Sequence, residues 1–296
     1  MVARRTLRSE LDNWTPAHSI EVMDRNGVRA SLVSVSTPGI WFGDADEATR
    51  LARATNEFAA RMVRDYPGRF GFFAALALPN VDGSLREIEY ALDTLKADGI
   101  GLLSSYDGRY LGDPAFAPVF DEMQRRRTIV YIHPSDLHDS RNVVPNVPDS
   151  IVEFGFDTTR AIVTLLDGGT FTRCPDVRFI LSHGGGAVPF LAGRIAQRTL
   201  LNPPAPSAVD RRMAELKKLY FETSSVTNAP ALASLLKLVP ATQVMFGSDY
   251  PNAPATALGN SLAALRQLVQ GGDITNRQLQ NIEWETAVAL FPRLRG

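Results

Sequence analysis

Short apolar runs alternate along the chain with longer stretches in which apolar positions recur every three or four residues. The runs fall at residues 30–36, 70–78, 99–105, 128–132, 177–181, 219–225 and 243–249. Their content of β-branched and aromatic residues predicts seven buried strands. The stretches between them predict helices near 46–66, 84–96, 115–126, 150–166, 188–200, 209–217, 229–238, 257–270 and 276–291. An earlier helix begins at Thr15-Pro16, where threonine can cap and proline suits the first helical position, and ends near Gly27. The helix before strand three is expected to start at Asp82 or Ser84.

Strict alternation of strand and helix implies a parallel α/β fold. A doubly wound sheet would want a glycine-rich phosphate turn after an early strand, and the sequence has none. The expected architecture is therefore a (β/α)8 TIM-type barrel in a single domain over residues 1–296. Seven strands are countable where closure needs eight, and the gap lies at the front of the chain.

Three strands end in polar residues that carry chemistry. Residues 177–181 lead to Ser182-His183, then to Gly184, Gly185 and Gly186. Residues 128–132 end in His133 and are stopped by Pro134. Residues 243–249 end in Asp249, with Pro251 just beyond. In α/β barrels the active site lies at the C-terminal strand ends. Imidazole with carboxylate suits a divalent transition metal, and equally a general acid/base pair. A Ser/His/Asp hydrolase is weaker, because no Gly-x-Ser-x-Gly elbow occurs. Trp41 and Phe42 sit on the loop after the first strand, either lining a pocket or covering the barrel rim. His18, in the first helical turn, reads as a surface residue. His138 lies in a long polar loop, a kind of segment that is often functional.

Composition narrows the classes without choosing among them. Formal net charge is -1, so no basic field argues for nucleic acid or an anionic membrane. No apolar run approaches the roughly 20 residues of a membrane span. Cys174 is the single cysteine, which excludes an intrachain disulfide and suits a reducing cytoplasm.

Several motifs carry a family likeness: Met23-Asp-Arg-Asn-Gly-Val28, Tyr66-Pro-Gly-Arg-Phe70, Tyr106-Asp-Gly-Arg-Tyr-Leu-Gly-Asp-Pro114, Ile132-His-Pro134, Phe156-Asp-Thr-Thr-Arg160, Ser182-His-Gly-Gly-Gly186 and Phe246-Gly-Ser-Asp-Tyr-Pro251. In these the chain resembles the amidohydrolase-related decarboxylases of the aminocarboxymuconate-semialdehyde decarboxylase type, and within them the 6-methylsalicylate decarboxylase branch. The resemblance implies that His133 and Asp249 bind a divalent metal, zinc first and manganese second. It implies that His183 acts beside the metal and that Asp249 also handles a proton. It implies that Arg194 binds a substrate carboxylate, reaching across a homodimer interface. Trp41 is the second candidate for the substrate pocket.

One departure goes with the uncounted strand. The family opens with a strand ending in His-x-His or Glu-x-His, whereas this sequence has four histidines and no such pair. A truncated N-terminus is the favoured expectation; a natural variant without metal, or a metal held by fewer ligands, are the others. With two ligands absent, the 296 residues alone are expected to show little activity. The function implied is metal-dependent, non-oxidative decarboxylation of a small aromatic carboxylic acid. Hydrolysis of a lactone or amide at the same site, and a non-catalytic paralogue, are the alternatives.

Overall fold

A computed structural model describes residues 13–135, 143–197 and 206–295. Seven parallel strands follow one another in chain order across one sheet. They are β1 (Ser31–Val33), β2 (Phe70–Ala75), β3 (Gly99–Leu103), β4 (Ile129–His133), β5 (Arg178–Leu181), β6 (Tyr220–Glu222) and β7 (Val244–Met245). The sheet is curled, with helices in its crossovers, the coarse form of the TIM-type architecture expected from the alternation. Among the described residues β1 and β7 each pair with one neighbour only, so this sheet has seven strands; a separate antiparallel pair joins Ser105–Tyr106 to Arg109–Tyr110.

Period-two alternation divides the strand side chains between two cores. Phe72, Ala74, Ile100, Val130, Ile132, Phe179, Leu181, Phe221 and Val244 pack in the large cluster against the helices. Phe73, Ile129, Ile180 and Met245 form a second cluster with Phe291 and Leu294 from the chain's end, and Tyr131 and Tyr220 pack against it. This second cluster is the inside of the curled sheet. Tyr131 stacks on Phe73 at 5.2 Å between ring centroids, and Phe291 meets Phe73 edge-on at 5.8 Å. One end of the interior is thereby filled with aromatic rings.

The alternation also places the polar residues. His133 lies two residues beyond Tyr131 and Glu222 two beyond Tyr220, so both project inward above the apolar layer. Register aligns the strand ends: Leu103 pairs with His133, Ile132 with Leu181, and Glu222 with Met245.

Several element boundaries differ from the sequence expectation, most strands being shorter than their apolar runs. The seventh strand stops at Met245, four residues short of Asp249. Beyond it the Phe246 N–H turns to the Ile282 carbonyl at 2.7 Å, so the ladder is replaced by a bond to the closing helical segment. The helix expected from Asp82 or Ser84 begins at Val81, because Asn80 supplies the cap by accepting the Gly83 N–H. The helix expected from residue 150 begins at Glu153 and runs to Asp167. No helix among the described residues is long and apolar enough to cross a membrane. Cys174 is buried with a free thiol.

Candidate active site

The structure brings His133, His183 and Asp249 together. The Nε2 atoms of the two imidazoles are 3.4 Å apart, and Asp249 Oδ1 is 3.8 Å from His133 Nε2. Ligand atoms of all three lie within 4.8 Å of one another.

Each residue arrives by a different local device. His133 ends β4 and is buried. Its Nδ1 lies 2.8 Å from the Pro134 carbonyl oxygen. A carbonyl can only accept, so Nδ1 carries the proton and Nε2 presents its lone pair to the cluster. His183 opens the single helical turn His183–Gly185 with φ of +52°. Asp249 sits in the loop after β7 with φ of +55°.

Two of the three glycines after His183 are demanded by close approach. A Cβ on Gly185 would lie 2.6 Å from the Phe221 ring, and one on Gly186 would lie 2.0 Å from the Gly155 carbonyl oxygen. The turn is therefore pressed against β6 and the Glu153–Asp167 helix, which holds His183 at the strand end.

A buried carboxylate lies beneath. Glu222 accepts the His183 N–H at 2.5 Å and the Ser224 N–H at 2.6 Å. Burial pushes the Glu222 carboxyl up, opposed by the charge of His183 and by the two N–H donors. Burial would likewise raise Asp249, but the His133 and His183 imidazoles facing it hold its carboxyl below the ordinary value. A cavity of about 880 Å³ opens beside the cluster, with His133, Glu222, Asp249, Tyr131 and Met245 on its wall.

The donor set fits a first-row divalent ion. Bonds of about 2.1 Å in tetrahedral geometry require ligand atoms roughly 3.4 Å apart. The two separations from His133 Nε2, 3.4 Å and 3.8 Å, are close to that requirement, and all three ligand atoms lie within 4.8 Å of one another. Two imidazoles and a carboxylate are a common catalytic donor set for zinc, and for iron in the open facial form.

The other candidates lie elsewhere. Arg194 is exposed on the Val188–Ala196 helix. Trp41 packs against Ile40, Ala48 and Ala52 in a small cluster. His18 is exposed, with its Nδ1 3.1 Å from the Asn13 carbonyl oxygen. His138 lies outside the described residues.

Residues 6–293 match the family model described as Amidohydrolase, and the chain belongs to that family. It is an amidohydrolase-family enzyme of the carboxy-lyase kind. It is 34% identical over 300 residues to the decarboxylase yanB of Aspergillus niger, covering 96% of this chain and 80% of the relative. It is 32% identical over 288 residues to a 6-methylsalicylic acid decarboxylase of Penicillium expansum, covering 96% and 88%. In fold it is similar to the 5-carboxyvanillate decarboxylase of Novosphingobium aromaticivorans, solved with manganese and 4-hydroxy-3-methoxy-5-nitrobenzoic acid. That likeness has a TM-score of 0.84 at 23% identity and covers 99% of this chain and 85% of the other.

Two buried carboxyl groups near the cluster were not singled out from sequence: Glu222, beneath His183, and Asp157, which accepts the Ser135 N–H two residues beyond His133. Glu222 was visible as a charge inside an apolar run, Leu219-Tyr-Phe-Glu222, which is costly to bury without a purpose. Asp157 stood inside the motif Phe156-Asp-Thr-Thr-Arg160 with no role attached.

Proposed function

We propose that this chain removes CO2 from a small aromatic carboxylic acid of the 6-methylsalicylate kind, without net oxidation. The observation that carries the reading is the meeting of His133, His183 and Asp249 within 4.8 Å at the strand ends. The named activities of the relatives that match most of the chain support the same class of reaction.

His133 and Asp249 would hold a divalent ion, with the His183 imidazole at the third corner of the same triangle. Such an ion supplies Lewis-acid polarisation and a template for the carboxylate and its neighbouring oxygen. Zinc suits the donors, and the manganese bound in the Novosphingobium aromaticivorans enzyme supports manganese as the first ion to test.

Asp249 takes the acidic proton of the substrate and passes it to the ring carbon that bears the carboxylate. His183, beside it, orients the reacting group. The carbon–carbon bond then breaks, its electron pair returns to the ring, and CO2 departs. Arg194 serves as the carboxylate-binding fork, exposed so that it can reach a second copy in a homodimer. Trp41 contributes aromatic surface at the rim. A cytoplasmic location belongs to the same reading.

The test is product analysis in D2O with ortho-hydroxylated benzoic acids and added manganese or zinc. Decarboxylation places one deuterium on the vacated ring carbon and releases CO2. A product containing solvent oxygen, with its carboxylate retained, would instead show a hydrolase at this site.

A further inference from the structure

The orientation of His133 is set by a peptide group one residue away. Its Nδ1–H donates to the Pro134 carbonyl oxygen at 2.8 Å. That carbonyl and the Ser135 N–H are the two ends of one planar peptide unit. The Ser135 N–H donates in turn to Asp157 Oδ2 at 2.9 Å, and is shared with Ser104 Oγ at 3.0 Å. The Ser104 hydroxyl also donates to Asp157 Oδ2. The Ser135 hydroxyl bonds to Ser104 Oγ at 2.9 Å and to Ser105 Oγ at 2.8 Å. Ser104, Ser105, Ser135 and Asp157 are all buried, and Asp157 is 1% exposed.

Proline makes this peptide depend on few torsions. Its ring fixes φ of Pro134, and it has no N–H of its own to anchor the loop. The plane of the following peptide then turns about ψ of Pro134, and the bond from Ser135 N–H to Asp157 stops that turn. A carboxylate on the N–H end also polarises the peptide and makes its carbonyl a better acceptor. Asp157 stands on the Glu153–Asp167 helix. Phe154, three residues earlier on the same helical face, meets the His133 ring edge-on at 6.3 Å between centroids. One helix thus touches the imidazole directly and through the peptide.

We propose that Asp157 is a positioning residue for His133. Acting through the Pro134–Ser135 peptide, it keeps the imidazole in the Nδ1–H form and aims Nε2 at His183 and Asp249. The inference rests on the proposed role of His133 as a metal ligand through Nε2. Asp157 itself touches neither metal nor substrate; it selects which nitrogen is free.

The tautomer is measurable without metal or substrate. Two-bond proton–nitrogen correlation on histidine-labelled, metal-free protein reports which ring nitrogen carries the proton, and His133→Ala assigns the signal. The wild type should show His133 protonated at Nδ1. Asp157→Ala should give a mixture of tautomers, and Asp157→Asn, which keeps the shape and an acceptor oxygen, should restore most of the Nδ1–H form. Ser135→Ala, which keeps the N–H, should match the wild type. Manganese affinity should fall about 10–100-fold in Asp157→Ala, the range seen when residues behind a metal ligand are changed. A folded Asp157→Ala with unaltered tautomer and unaltered manganese affinity overturns the proposal. Should that variant fail to fold, Asp157→Asn decides: the proposal stands if that folded variant shifts the tautomer or weakens manganese affinity relative to the wild type and Ser135→Ala, and it falls if it matches both in tautomer and in affinity. A wild type that binds no manganese removes the metal reading, while the tautomer comparison still judges Asp157.

Discussion

His183 and Asp249 share a left-handed backbone, with φ of +52° and +55°. Neither is a glycine, and the conformation costs a side-chain-bearing residue about 1–2 kcal/mol. Both lie just past strand ends, and both point their side chains at His133 Nε2. Strain of this kind persists where surrounding contacts over-determine it, and it clusters at functional sites. Here the contacts are the Glu222 carboxylate on the His183 N–H and the glycine turn pressed against Phe221.

That strain should be visible in stability. His183→Gly relieves it and His183→Ala does not, although both remove the imidazole. In denaturant unfolding the glycine variant should be the more stable by about 1 kcal/mol. Equal stabilities would mean that the backbone at His183 is relaxed.

Glu222 should matter more than its distance from substrate suggests. Its two oxygens serve two N–H donors, from His183 and Ser224. Glu222→Gln turns an NH2 group toward one of them, leaving a buried donor unpaired at a cost of about 1–3 kcal/mol. The His183 turn loosens, and kcat should fall by roughly tenfold or more with a smaller change in KM. Full activity in a folded Glu222→Gln enzyme would remove this residue from the site.

Gly247 tests the same carboxylate from the other side. A Cβ there would lie 1.7 Å from Glu222 Oε2. Gly247→Ala must displace the carboxylate, so it should lower activity as Glu222→Gln does and destabilise by about 1–3 kcal/mol. A neutral Gly247→Ala, in a paired activity and melting assay, would place Glu222 elsewhere in solution.

The chain's acid stability should depend on a surface cluster. Arg125, and Arg126 beside it, hold Glu122 at about 2, well below the ordinary value of 4.5. The lowered value means that the pair stabilises fully above pH 4.5 and fades as pH falls toward about 2. Glu122→Gln should therefore lose roughly 1 kcal/mol at neutral pH, after solvent screening, and show a flatter stability curve across that window. Parallel curves for the two proteins would contradict the assignment.

Much of the fold was legible because the helices and strands are strongly patterned. Seven strands were expected and the parallel sheet has seven, the short pair at Ser105–Tyr106 and Arg109–Tyr110 being unforeseen, and residues 229–238 form a helix with the expected bounds. The meeting of the three side chains was legible in part because His133 and His183 each follow an apolar run and meet proline or glycine. Asp249 was found for a partly different reason, since β7 ends at Met245 and the loop beyond it carries the aspartate inward. Glu222 and Asp157 were not legible, because most of their partners are main-chain N–H groups and serine hydroxyls brought from other segments. Asp157 meets Ser104 across 53 positions of sequence, a contact that no local pattern encodes.

The most direct measurement is manganese titration of the purified chain, reading bound metal and decarboxylation together. With the ion held by His133 and Asp249, whatever decarboxylation the 296 residues support, expected to be small with two family ligands absent, should rise in step with occupancy and level off at one ion per chain. His133→Ala and Asp249→Asn should bind at least tenfold more weakly, by about 1.4 kcal/mol or more, and lose activity with the metal. Decarboxylation that persists in metal-stripped protein, or stoichiometric binding unchanged in both variants, would contradict the assignment of this cluster as a metal-dependent decarboxylation site.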